Sequence, residues 1–104
     1  MSKAAIVFQS LVNERGKRLR RAAFQELKQL ANAPAEYIIV DSRSAIITII
    51  VQPSQASGGI RVVVQGRMKK RLFGWLVSVD GFYKYPNGTL APLTREDLLE
   101  FDQL

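Results

Sequence analysis

The chain contains no cysteine and no histidine. The first absence rules out a disulfide framework and a thiolate nucleophile. The second removes the commonest general base at neutral pH and the commonest metal ligand. Together they exclude the usual thiolate and imidazole zinc sites. Carboxylates, hydroxyls, Tyr, Lys and Arg are the groups left for catalysis. No apolar run reaches the ~18 residues of a membrane-spanning helix. The opening Met-Ser-Lys-Ala-Ala-Ile-Val-Phe-Gln is too short an apolar stretch for a signal peptide, and Gln9 interrupts it. A cytoplasmic protein with no membrane partner is expected.

What is present suits a folded domain. The 104 residues are 47% hydrophobic, enough for a core without staples, so one domain over 1–104 is expected. The net charge is +6, and it is unevenly placed. Residues 1–35 and 61–85 each carry +5, residues 36–60 carry −1, and residues 86–104 carry −3.

Residues 3–12 are good helix formers with Ser2 as N-cap. Asn13-Glu14-Arg15-Gly16 either interrupts that helix or is carried through it. From Lys17, the positions Leu19, Ala23, Leu27, Leu30 and Ala31 recur at helical spacing, and Pro34 ends the pattern. The middle reads as β. Tyr37–Val40 is a strand, Asp41-Ser42-Arg43-Ser44 a turn, and Ala45–Val51 a strand apolar on both faces, expected to be covered on both sides. Pro53–Gly59 reads as a mobile loop. Ile60–Gln65 is a strand whose Arg61 and Gln65 suggest one exposed face.

Gly66-Arg67-Met68-Lys69-Lys70 reads as a hairpin turn with a charged tip, followed by a strand over Arg71–Val79. Asp80-Gly81 reads as a tight turn, Phe82–Tyr85 as a short strand, and Pro86-Asn87-Gly88-Thr89 as another turn. Thr94 and Asp97 have capping-box spacing before a short helix over 95–102. The fold class is α+β: an N-terminal helix, an antiparallel meander of about five strands, and a short C-terminal helix. Two helices leave part of such a sheet uncovered, so a homodimer is expected.

Two basic clusters are the main candidates for function. Lys17, Arg18, Arg21 and Lys28 lie on one helical segment. Arg67, Lys69, Lys70 and Arg71 lie at the hairpin tip, near Phe73, Trp75, Tyr83 and Tyr85. Both can contact nucleic-acid phosphates, DNA or RNA, with no base readout. The plainer readings are a solvated helix face and, for Phe73 and Trp75 with Val77 and Val79, a core stripe at strand period. Neither an aromatic single-strand-binding octapeptide nor a Gly-x-x-Gly loop is present.

Asp41-Ser42-Arg43-Ser44 has the groups for a small anion, though a β-turn with Asp accepting backbone bonds is the favoured reading. Gly58-Gly59 and Gly66 fit no nucleotide-binding fingerprint, so no cofactor is expected. No carboxylate pair has neighbours that would split two pKa values, and neither serine of that turn has an activating base in sequence. A hydrolase or transferase using Asp41 or Asp80 is the minority reading.

The sequence thus predicts a non-catalytic binding protein that contacts nucleic acid through its basic helix and tip. The alternative is a protein-interaction module, of accessory, regulatory or immunity type, meeting an acidic protein partner. An exposed apolar patch in place of a basic stripe would distinguish the second from the first.

Overall fold

The computed structural model describes residues 2–54 and 58–102. Helix α1 spans Lys3–Arg21, and α2 spans Phe24–Gln29 with a 3₁₀ turn over Leu30–Asn32. The strands are β1 (Glu36–Val40), β2 (Arg43–Pro53), β3 (Ile60–Lys69), β4 (Trp75–Lys84) and β5 (Leu90–Pro92), and α3 spans Arg95–Phe101. The five strands form one antiparallel sheet in sequence order. The α+β class and its meander are therefore as expected.

α1 starts where Ser2 Oγ accepts from the Ala5 amide. It runs straight through Gly16, which is buried where a Cβ would collide with the Asp80 carboxylate. The helix breaks at Ala22 and Ala23, both in extended backbone. One face of the sheet packs against α1. Phe8 and Val12 lie over Gly66, whose missing side chain makes room for them, since a Cβ there would lie 2.6–2.7 Å from both. Ala4, Val40, Ala45, Ile47, Val64 and Met68 complete this core. A second cluster of Leu27, Ile60, Val62 and Phe82 lies under α2.

Strand alternation fixes the other face. Arg61 and Gln65 of β3 point away from α1 and bond to α3. Arg61 and Gln65 are therefore not on an exposed face, because the terminal helix folds back over them. β2 is fully buried on one side only: Ala45 and Ile47 are buried, while Ile46, Thr48 and Ile50 are half-buried.

Two turns differ from expectation. Asp80 and Gly81 lie inside β4, paired with Val64 and Val63. Gly81 is needed there for close approach, because a Cβ would run into the Val62 carbonyl and Leu93. The β3–β4 connection is 70–74, closed by the Lys70 amide on the Gly74 carbonyl at 3.0 Å, with Gly74 at φ +88°. Arg67 is accordingly a strand residue and not part of the turn, and Phe73 is in the loop and not in a core stripe. Phe82–Lys84 extends β4, so the fifth strand is Leu90–Pro92. Asp41 and Ser42, at φ +51° and +63°, form the two-residue β1–β2 connection, which demands left-handed backbone. Of the Pro53–Gly59 loop, residues 55–57 lie outside those described. Among the described residues no helix is long and apolar enough to cross a membrane.

Candidate functional site

The basic helix is partly consumed by the fold. Arg20 donates to both oxygens of Asp80 at 2.9 and 3.0 Å and to the Gly81 carbonyl at 2.9 Å, and its guanidinium lies over Phe82. The hydrogen bond to Asp80 holds its pKa above the ordinary value. Arg15 pairs with Glu36 at 2.7 Å. Buried Lys84 donates to the carbonyls of Arg20 and Ala22 at 3.0 and 2.6 Å, placing its charge at the negative end of α1. Of the candidates, Lys17, Arg18, Arg21 and Lys28 are exposed. Arg18 approaches Glu14 at 4.0 Å, and Lys28 sits over Phe24.

The tip gathers differently. Lys69, Lys70 and Arg71 meet Asp41, Ser42, Arg43 and Ser44 around a cavity of about 340 Å³. Among the described residues, none of these four cations makes an ion pair. Arg43 joins the cluster through the register Val40↔Arg43, which was not legible from spacing alone. The tip adjoins the Met68↔Leu76 pair, whereas Arg20 reaches β4 at Asp80 and Phe82. Six strand residues separate the ends, about 20 Å. The two basic clusters therefore lie at opposite ends of the sheet and form no single stripe among the described residues.

Among the described residues, no carboxylate of the C-terminal segment pairs with either cluster. Asp97, buried at 7% exposure, is a hub. Its Oδ1 accepts from Arg61 Nη1 at 2.8 Å. Its Oδ2 accepts from Tyr83 Oη at 2.7 Å, from the Thr94 amide at 2.8 Å and from Thr94 Oγ1 at 2.9 Å. The Asp97 amide in turn donates to Thr94 Oγ1 at 3.1 Å, so the capping box forms as expected. Burial pushes the Asp97 pKa up, but the bonds from Thr94, Tyr83 and Arg61 outweigh it and bring it to about 2. Burial and Asp97 together raise the Tyr83 pKa. Burial opposes the charge on Arg61, yet its bonds to Asp97 and Glu100 leave its pKa raised. Arg61 also donates to Glu100 at 2.9 Å and to Gln52, and covers the Phe101 ring. Gln65 Nε2 donates to the Phe101 carbonyl at 2.7 Å.

Beyond Gln65, no helix among the described residues covers the second face of the sheet. One row across it is Tyr37, Ile46, Arg67 and Val77; the next carries Ile39 and Ser44, then Lys69 and Trp75. Tyr37 and Ile39 are 77% and 78% exposed, and Trp75 is 37% exposed. A shallow cleft of about 670 Å³ runs among Tyr37, Ile39, Ile46 and Trp75. Leu72 and Phe73 project from the adjoining loop, both more than 80% exposed. Arg67, between Ile46 and Val77 in register, has its Nε buried and, among the described residues, without a hydrogen-bond partner. The sequence led to an uncovered part of the sheet but not to these residues, because Tyr37-Ile38-Ile39-Val40 carries no charged residue to mark which side faces out.

Asp41 and Asp80 do not meet. Asp41 lines the tip cavity, whereas Asp80 is held by Arg20 under α1. Among the described residues, no group of three or more Asp or Glu is placed to hold a metal ion. No protein-family model, curated protein or solved structure matches this chain.

Proposed function

We propose that this chain is a non-catalytic docking module that binds a protein partner on the open half of the sheet's second face. One observation carries the reading: Tyr37, Ile39 and Trp75 stand exposed on the face that carries Arg67, whose buried Nε has no acceptor among the described residues. Contiguous exposed apolar surface with aromatic and Arg residues at its centre is how interface anchors look. The separation of the two basic clusters argues in the same direction, because it removes the continuous stripe that a phosphate backbone would follow.

A nucleic-acid reading keeps one specific support. Arg43, Lys69, Lys70 and Arg71 converge on the tip cavity with two serine hydroxyls and, among the described residues, no ion pairs. Two variants separate the readings. Trp75→Ser with Ile39→Ser alters the face, and Lys70→Glu with Arg71→Glu alters the tip. Each is tested by affinity capture from the source cells and by fluorescence anisotropy with single-stranded and duplex DNA and RNA. A captured partner lost only with the face variant, and no nucleic-acid binding at near-physiological salt, supports docking. Micromolar nucleic-acid binding at that salt, lost with the tip variant and kept by the face variant, overturns it.

A further inference from the structure

We infer that the occupant of the open face is an acidic amphipathic helix that places a carboxylate on Arg67. This rests on the docking reading above and names the partner's chemistry. The chain contains its own template for the contact. Over the covered part of the same face, α3 lays Phe101 beneath the Arg61 guanidinium and gives Arg61 the carboxylates of Asp97 and Glu100. Arg67 follows Arg61 by six residues on β3 and so points from the same face. It is flanked by Ile46 and Val77 in register, yet among the described residues no carboxylate pairs with it.

A guanidinium nitrogen withdrawn from water and left unpaired is costly, and a carboxylate is its best bidentate acceptor. The space also fits. From Gln65, where α3 ends its coverage, to Lys69 is about 13 Å along the strand, enough for one helix about 10 Å across. Tyr37, Ile39, Ile46 and Trp75 offer the cleft for its apolar stripe. Arg43, Lys69, Lys70 and Arg71 at the rim favour a negatively charged visitor. A second copy is disfavoured at the same place, since it brings Arg67 and the tip against their own like charges.

Trp75 is the only tryptophan and lies on the face, so its emission reports occupancy directly. The full chain is titrated with three helical peptides of about 20 residues, long enough to hold helix. All three share one Leu stripe and differ in carrying Glu, Gln or Lys beside it. The expected result is a saturable blue shift with the Glu peptide and binding weaker by about tenfold or more with Gln and Lys. In Arg67→Gln or Arg67→Met, the Glu peptide should fall to the level of the Gln peptide. Equal binding of Glu and Gln peptides to the native chain overturns the carboxylate assignment while leaving the docking face standing. So does loss of Glu-peptide binding in Lys70→Glu with Arg71→Glu but not in the Arg67 variants. If no peptide moves Trp75, both the face and its occupant fail. If oligo(dT) moves it at near-physiological salt, or a concentration-dependent dimer in sedimentation moves it alone, the inference is likewise overturned.

Discussion

Asp97→Asn is the sharpest test of how the terminal helix is held. The carboxylate takes four hydrogen bonds, one on Oδ1 and three on Oδ2. An amide of the same shape accepts on only one side, so it must turn its NH₂ either toward Arg61 or toward Thr94 and Tyr83. The magnitude follows from linkage. Holding the carboxyl at about 2, against an ordinary value of 3.8, corresponds to about 2.4 kcal/mol of folding stability at pH 7. Because the folded value is the lower one, this stability is complete above about pH 4 and fades as pH falls toward 2. At pH 2.5 about a third remains, or about 0.8 kcal/mol. Urea unfolding of native chain and variant, followed by circular dichroism, should therefore show a gap near 2 kcal/mol at pH 7 that narrows by about 1.5 kcal/mol at pH 2.5. Other carboxylates titrate in both proteins and cancel in the difference. A gap of the same size at both pH values would refute the assignment of Asp97 as a charged acceptor.

Three further outcomes are expected. Lys84→Met should lose about 1–2 kcal/mol in chemical denaturation, because two carbonyls at the end of α1 lose a charged donor. Arg67→Met should instead raise stability by about 1 kcal/mol, since it removes a buried nitrogen that nothing satisfies; a fall in midpoint would contradict the geometry at the open face. Gly66→Ala should cost about 1–3 kcal/mol, as the added methyl presses on Phe8 and Val12, and thermal melting should show it as a drop of several degrees.

The fold class was legible because its signals are local. Ser2 and Thr94 do cap helices, and Asn87-Gly88 does turn, with Gly88 at φ +89° and its amide on the Tyr85 carbonyl. Asp80-Gly81 misled because the dipeptide has turn chemistry, while its tertiary role is different: Asp80 holds Arg20, and Gly81 admits the neighbouring backbone and Leu93. Arg71–Phe73 read as strand for the same kind of reason, since β propensity says nothing about where the ladder ends. At the candidate site, the tip cations were visible as a cluster but Arg43 was not, because its place depends on strand pairing. Phe73 and Trp75 look like core residues in one dimension. Phe73 is exposed because it falls in the 70–74 loop, and Trp75 because α3 is only seven residues long and covers part of the face on which Trp75 lies.

The meander order of the sheet has a consequence for how the chain is made. Every strand pairs with its neighbour in sequence, so each hairpin can zip soon after it emerges from the ribosome. α1 does not share this advantage. Its anchor at Arg20 finds Asp80 only 60 residues later, which at ordinary synthesis rates is about 3–12 s. Until β3 has been made, the stripe of Ala4, Phe8 and Val12 lacks the Val64, Gly66 and Met68 it rests on. The nascent helix is thus the segment a chaperone would meet first, and changes that make its stripe more apolar should lower the yield of folded protein before they alter its stability.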